Sequence, residues 1–197
     1  MLHLKHRPRD WSGYVESSPD VGKFRKTLES GRFNGGALLI QGPSSSGKTT
    51  LAEIIVHALA DDHTDINGAN CTVDKVREIA SGFAFKPMFG NEWRAIVVNE
   101  CQSMTDKSVE CWLDVLDHLP PKWVIVFTTT EDCRKLFAEF GEAFTSRCKR
   151  IVLQRPAEAD AVCRLRAIAD AEKIEATDWQ LAELLKREGR NLRACIQ

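Results

Sequence analysis

The sequence predicts an α/β fold in which a parallel β-sheet flanked by helices is followed by a small C-terminal helical unit. Short apolar runs alternate with amphipathic stretches along most of the chain. One strand-to-helix loop is rich in glycine and serine, and beyond Arg155-Pro156 the strand-like runs stop. Alternating strands and helices form right-handed βαβ units, whose parallel sheets are covered on both faces.

Composition limits the class of protein. The chain has 197 residues, enough for one domain or a domain with a small appendage. With 27 Lys+Arg against 28 Asp+Glu, any nucleic-acid binding must come from a local basic patch. The seven cysteines are odd in number and scattered along the chain, which argues against a disulfide framework or a zinc site. No apolar run has the roughly 18 residues of a membrane span, and residues 1–10 lack the apolar region of a signal peptide. We therefore expect an intracellular protein without membrane contact, cytoplasmic or in the nucleoid or nucleus.

The first predicted strand and helix lie on either side of the glycine- and serine-rich loop. Residues 35–41 read as a short buried strand behind a turn. Residues 48–60 carry an apolar stripe of period 3.6, formed by Leu51, Ile54, Ile55 and Leu59.

Two further strands and a helix follow. Residues 93–98 form a buried strand that ends at Asn99-Glu100, and residues 123–127 form another that ends at Thr128. Between them, residues 107–118 have helical spacing and stop before Pro120-Pro121. Residues 150–153 are a weaker fourth strand. The ligand site of such a sheet is expected at the carboxyl ends of its strands.

The C-terminal segment has a different pattern. Residues 161–168 carry one amphipathic helix, Thr177 to Gln180 read as a capping box that opens a second, and Asn191 can cap a third. We therefore divide the chain into an α/β domain, residues 1–155, and a small helical unit, residues 156–197.

Residues 42–49 match the phosphate-binding pattern G-x-x-x-x-G-K-[ST] in full. Backbone N–H groups of such a loop converge on phosphates at the N-terminus of the next helix. Lys48 would reach the β- and γ-phosphates of ATP, and the Thr49 hydroxyl would bind Mg²⁺. The ATP-binding residues predicted here are Gly42, Pro43, Ser44, Ser45, Ser46, Gly47, Lys48, Thr49 and Thr50.

The end of the 93–98 strand fits a Walker B element. Glu100 is placed to orient the attacking water, and a solvated carboxylate is the plainer interpretation of the same residue. Asn99 stands where an aspartate is usual. Its amide oxygen can contribute to the outer shell of Mg²⁺ but brings no negative charge.

Several motifs in order resemble the AAA+ clamp-loader ATPases, namely the small subunits of replication factor C and the related bacterial and phage subunits. The motifs span nearly the whole chain. They are Lys5-His6-Arg7-Pro8, the phosphate-binding loop, Asn67-Gly68-Ala69-Asn70 with Val73-Asp74-Lys75-Val76-Arg77, Leu119-Pro120-Pro121, Thr129-Thr130, Ser146-Arg147-Cys148 and Gly189-Arg190-Asn191-Leu192-Arg193.

This resemblance implies a P-loop AAA+ core with a helical lid and a role for each motif. Arg7 and Pro8 would lie beside the adenine, and Thr130 would be the sensor 1 threonine. Arg193 would reach the γ-phosphate in cis, and Arg147 would reach the ATP of a neighbouring subunit in trans. Catalysis would then rest on Lys48, Glu100, Thr130 and Arg147.

The same resemblance implies partners: other clamp-loader subunits, a sliding clamp and primer–template DNA. It would put Lys75, Arg77 or Lys86 near DNA phosphates, although a solvated helix face explains these residues equally well.

Three departures from the family pattern keep alternatives open. Asn99 replaces the Walker B aspartate, the bacterial zinc insertion is absent, and no stretch corresponds to the helical collar, so the lid is expected to be incomplete. Besides an ATP-hydrolysing subunit, the sequence therefore allows a non-hydrolysing ATP-binding scaffold subunit and a P-loop small-molecule kinase.

Overall fold

The computed structural model describes residues 2–84, 91–132, 136–137 and 139–197, so Lys86 lies outside the described residues. Within them a five-stranded sheet has the order β2-β3-β4-β1-β5, and every neighbouring pair is parallel. This confirms the predicted parallel α/β sheet. The strands are β1 Gly36–Gln41, β2 His63–Asn67, β3 Arg94–Asn99, β4 Trp123–Thr129 and β5 Cys148–Val152.

Helices cover both faces of this sheet. In chain order they are α1 Leu2–Lys5, α2 Pro19–Glu29, α3 Lys48–Leu59, α4 Val73–Ser81, α5 Asp106–Asp117, α6 Gly141–Ser146, α7 Glu158–Ala171, α8 Asp178–Arg187 and α9 Leu192–Cys195. None of the helices in the described ranges is long and apolar enough to span a bilayer.

Side chains of the central strands alternate between two apolar cores, because successive residues of a strand point to opposite faces. Leu38 and Ile40 of β1 pack with α2 and α3. Leu39 of the same strand packs on the other face with α4, α5 and α6, where Trp112 and Phe127 meet edge to face. Both cores bury the sheet, which leaves its carboxyl edge to carry the functional loops.

The edge strand β2 and the helices α1 and α2 were not predicted from the sequence. In β2, His63–Asn67, Ile66 is the buried residue and the others are polar or partly exposed, so the segment lacks an apolar run. The predicted elements agree with the structure to within three residues at each end.

The helices after β5 share a small core of their own, made by Ala161, Leu165, Leu181 and Leu185. The predicted capping box is present: Thr177 accepts a hydrogen bond from the backbone of Gln180, whose side chain accepts one in return. Asn191 caps α9 by accepting from the backbone N–H of Ala194. The chain leaves the sheet at Val152 and enters this helical unit at Glu158.

Candidate nucleotide-binding site

The loop between β1 and α3 has the tight backbone that its sequence predicts. Gly47 has φ +90° and begins α3 in the left-handed conformation, which favours glycine. A Cβ at Gly42 would lie 2.7 Å from Ser46 Oγ and 2.9 Å from the carbonyl oxygen of Leu153, so only glycine fits there. Ser46 Oγ is buried and has no hydrogen-bond partner within the described residues. A buried hydroxyl of this kind suits a phosphate oxygen.

Lys48 lies at the start of α3 with only 6% of its surface exposed. Its Nζ donates to the carbonyl oxygens of Gly42 and Pro43, both at 3.0 Å. Burial lowers the pKa of Lys48, Glu100 opposes this shift, and Arg193 adds to it. Two predicted site residues, Glu100 after β3 and Arg193 of α9, therefore act electrostatically on Lys48 of α3.

Two side chains of the sheet edge link the end of β3 to the end of β4. Glu100 has φ +53°, an uncommon conformation for a residue other than glycine. Its backbone N–H donates to Thr128 Oγ1 at 3.2 Å, and the Thr128 hydroxyl donates to Asn99 Oδ1, also at 3.2 Å. Such backbone strain persists only where the surroundings impose it, and it is concentrated at functional sites.

Gln102 belongs to the same site, although the sequence analysis did not identify it. Its amide Nε2 donates to Glu100 Oε2 at 2.5 Å and to Thr130 Oγ1 at 3.1 Å. Gln102 thereby joins the predicted water-orienting carboxylate to the predicted sensor threonine. Its place two residues after Glu100, in the helical turn Cys101–Ser103, is the sequence signal that could have suggested it.

A cavity of about 320 Å³ lies between the N-terminal segment, the phosphate-binding loop and α9. This is the lower end of the range for small-molecule sites. Arg7 lies in its wall, with Nη1 2.8 Å from Glu53 Oε1 and Nε donating to Thr50 Oγ1 at 3.4 Å. The predicted residues that line the cavity are Arg7, Pro8, Ser45, Ser46, Gly47, Thr50 and Arg193.

The other loop residues are neighbours in sequence of those that line the cavity. Pro43 and Ser44 are exposed on the loop, and Thr49 is partly buried in the first turn of α3. The predicted cis residues thus come from five parts of the chain: the N-terminal segment, the phosphate-binding loop, the ends of β3 and β4, and α9.

Arg147 lies at the opposite end of the parallel strands, where their amino termini are. It precedes β5, whose first residue Cys148 is level with Ala37 at the start of β1. Gly42 follows the far end of β1, about 20 Å away at ~3.3 Å per residue. The chain therefore does not bring Arg147 to its own phosphate-binding loop.

The guanidinium of Arg147 is bound by another part of the surface. Nε and Nη2 donate to the two carboxylate oxygens of Asp117, each at 2.7 Å, and Nη1 donates to the carbonyl of Ala143 at 2.9 Å. Hydrogen bonds from Arg147 lower the pKa of Asp117, and those same bonds raise the pKa of Arg147.

The candidate DNA-contacting residues of α4 are partly neutralised by their own helix. Lys75 Nζ lies 2.8 Å from Glu78, and the exposed guanidinium of Arg77 lies 3.9 Å from Asp74. Both pairs are exposed enough to exchange with solvent or another anion.

No family model matches the chain. It is 24% identical over 98% of its length to the replication factor C large subunit of Staphylothermus marinus, and covers 46% of that protein. It is 23% identical over 96% of its length to the sliding-clamp-loader large subunit of Enterobacteria phage T4, and covers 55% of that protein. The sequence relatives support the AAA+ clamp-loader family. The chain spans about half the length of these clamp-loader relatives.

A solved structure shares the fold of this chain. The RuvB Holliday junction branch migration motor of Thermotoga maritima superposes with a TM-score of 0.78 at 18% identity. The superposition covers 97% of this chain and 63% of that one. The likeness concerns the fold, a parallel sheet flanked by helices, which the sequence predicted.

Proposed function

We propose that this chain is an ATP-binding and ATP-hydrolysing subunit of a DNA sliding-clamp loader or of a closely related replication AAA+ complex. The observation that carries the proposal is the convergence of three parts of the chain: Lys48 is buried in the phosphate-binding loop, Arg193 lines the same cavity as that loop, and Glu100 follows the end of β3. Binding and hydrolysis need these groups together: a cation for the phosphates, a carboxylate for the water and a second cation for the charge that develops on the γ-phosphoryl group.

The residues present fit ATP with Mg²⁺. The unpartnered hydroxyl of Ser46 and the helix N-terminus at Lys48 suit phosphate oxygens. Thr49 would offer a neutral oxygen ligand of the kind that Mg²⁺ accepts alongside phosphates and water, and the Asn99 oxygen would contribute to the outer shell of the ion. When bound, Mg²⁺ supplies charge neutralisation at the β- and γ-phosphates.

In this mechanism Glu100 orients the attacking water and accepts its proton. Gln102 holds the Glu100 carboxylate by one hydrogen bond and Thr130 by another, so that the two side chains keep a fixed separation. Lys48 must exchange its bonds to the Gly42 and Pro43 carbonyls for phosphate oxygens. Positioning of this kind accounts for most of the catalysis in phosphoryl transfer.

A non-hydrolysing scaffold subunit is the second candidate, and Asn99 is the observation that favours it. The side chain is neutral, and its oxygen already accepts from the Thr128 hydroxyl. Loss of the carboxylate weakens the hold on Mg²⁺ without removing the phosphate-binding loop, so ATP binding would survive a loss of turnover.

One measurement separates these candidates: the ATPase rate of the chain, alone and with partner subunits, in the presence and absence of primed DNA and a sliding clamp. A clamp-loader subunit should show turnover that partners and primed DNA stimulate. A scaffold subunit should bind ATP without turnover in any assembly. Turnover that neither DNA nor the clamp changes, but that a small phosphate acceptor increases, would instead indicate a kinase.

A mixing experiment tests the trans role of Arg147. A chain with Arg147→Ala keeps its phosphate-binding loop, and one with Lys48→Ala keeps its arginine. Each should be nearly inactive alone, whereas the mixture should recover turnover, because an arginine finger contributes ~10³–10⁵ in rate. Concentration-independent turnover of a monomer that Arg147→Ala abolishes would refute the trans assignment.

A further inference from the structure

We propose that Asp117 is a positioning residue that holds Arg147 ready for the ATP site of a neighbouring subunit. This inference rests on the proposed function, since it takes Arg147 as an arginine finger. Nothing in the sequence motifs points to Asp117. The structure assigns it by its bidentate bond to the Arg147 guanidinium.

The ends of two helices meet at this guanidinium. Asp117 is the last residue of α5, and Arg147 directly follows α6, whose Ala143 carbonyl it binds. Helix C-termini carry partial negative charge, so a carboxylate at the end of α5 is unfavourable unless a cation compensates it. Arg147 supplies that cation for both helix ends.

The pairing fixes a side chain that would otherwise sample many rotamers. Three of the five N–H bonds of Arg147 are used within the described part of the chain: two by Asp117 and one by Ala143. One N–H on each terminal nitrogen is left for a phosphate. Ordering the finger before the neighbour arrives lowers the entropy cost of assembling the composite site.

The exposure of the pair favours positioning over sequestration. The Arg147 side chain remains 31% exposed and that of Asp117 48% exposed while they are paired. The carboxylate therefore holds the guanidinium from one side without covering it. A phosphate of a neighbouring subunit could contact Arg147 without first displacing Asp117.

The test uses the mixture of Arg147→Ala chains, which supply the ATP site, and Lys48→Ala chains, which supply the finger. Asp117→Asn is added to one partner at a time. On the finger-supplying chain we expect turnover to fall about 10-fold with KM for ATP unchanged, because a misplaced group loses part of its effect on the transition state. On the site-supplying chain, which has no Arg147 to position, the same substitution should leave turnover unchanged.

Asp114→Asn on the finger-supplying chain is the matched control. Asp114 lies on the same helix and faces His118 rather than Arg147, so turnover should not change. An equal fall in both placements would show a structural role of Asp117, and a rise would show sequestration. Either result, or no change in either placement, would overturn the inference.

The parent mixture keeps the two proposals apart. If it shows no turnover although the unsubstituted chains are active, the trans role of Arg147 is wrong. If the parent mixture is active and insensitive to Asp117→Asn, only the positioning role fails.

Discussion

Lys48 illustrates, at the scale of a single residue, how much of the site depends on the backbone. The lysine is buried within its own loop, and the loop carbonyls hold its ammonium group. Exposed lysines keep their ordinary pKa, whereas the pKa of Lys48 is lowered because the fold buries its side chain. The motif predicts its role because the loop is local in sequence.

Lys48→Ala should abolish ATP binding in a chain that still folds, because the phosphates lose their main cation. Calorimetric titration with ATP checks this. Lys75→Ala, which removes an exposed lysine of α4, is the control and should bind ATP normally. Equal affinity of Lys48→Ala and the unsubstituted chain would refute the phosphate-binding assignment.

Glu100→Gln should leave ATP bound and lower turnover by ~10² or more, the usual scale for losing a general base. Asn99→Asp, which restores a carboxylate next to it, should raise turnover by strengthening the hold on Mg²⁺. Steady-state ATPase assays with a parallel binding measurement separate the two effects. A rate unaffected by Glu100→Gln would remove Glu100 from the mechanism.

The pKa of Asp117 should lie below its ordinary value of 3.8, because Arg147 donates two hydrogen bonds to the carboxylate. The ion pair therefore contributes its full stabilisation at pH values above 3.8, the ordinary pKa. This stabilisation is lost as the pH falls through the lowered pKa of the folded state. In Arg147→Ala the pKa should return towards 3.8. An NMR titration of the Asp117 carboxyl carbon measures both, and identical midpoints would show that the ion pair is not formed in solution.

The contact of Gln102 with Thr130 and that of Asp117 with Arg147 were beyond prediction for one physical reason: no motif links the two residues of either pair. Gln102 meets Thr130 across two strands, and Asp117 meets Arg147 across two helices. Hydrogen bonds between distant segments leave no fixed spacing in a sequence. By contrast, the residues of the phosphate-binding loop could be predicted because their contacts are made within one turn.

At the scale of elements, strand burial separates what the sequence could predict from what it could not. β1 and β4 are central and buried on both faces, so their apolar runs are visible. β2 lies at the edge of the sheet with a polar sequence and pairs only with β3 among the described strands. Its position comes from the sheet it joins, which no local pattern encodes.

Two short turns at the carboxyl edge approach each other closely, and Gly68 makes this possible. A Cβ at Gly68 would lie 2.3 Å from the carbonyl oxygen of Glu100. Gly68→Ala should therefore destabilise the protein by about 1–3 kcal/mol. It should also lower ATP turnover, because the added methyl group displaces Glu100. Thermal unfolding and ATPase assays measure the two effects.

Gly82→Ala is the control for Gly68→Ala, since its Cβ would make only an ordinary van der Waals contact, with the Trp123 ring at 3.5 Å. We expect nearly unchanged stability and turnover for this variant. A Gly68→Ala chain as stable and active as Gly82→Ala would show that the two turns separate in solution.

At the scale of the whole molecule, the N-terminal segment connects the body to the helical unit. Glu172, after α7, binds both Lys5, at 2.6 Å, and His6. Arg164 of α7 donates to the carbonyl of His6 at 2.7 Å. The cavity is therefore bounded by segments from both ends of the chain, which hold each other in place.

Glu172→Ala should weaken ATP binding about two- to fivefold, because it removes the ion pairs that hold Lys5 and His6 of the N-terminal segment against the end of α7. Turnover of the bound nucleotide should not change, since Glu172 does not line the cavity. Titration with ATP and saturating ATPase assays measure the two quantities, with the exposed Glu175→Ala as control. A fall in saturated turnover without a change in affinity would contradict this account.

The placement of Gly42 and Arg147 at opposite edges of one sheet gives each copy of the chain two different ends. If Arg147 acts in trans, copies joined head to tail in an open row complete one site fewer than their number. A pair would then turn over, per chain, at about one half of the rate of a closed ring, and a row of five at about four fifths. The ATPase rate per chain would thus measure the fraction of chains whose site is completed by a neighbour. The value that this rate reaches at high protein concentration would distinguish an open row from a closed ring.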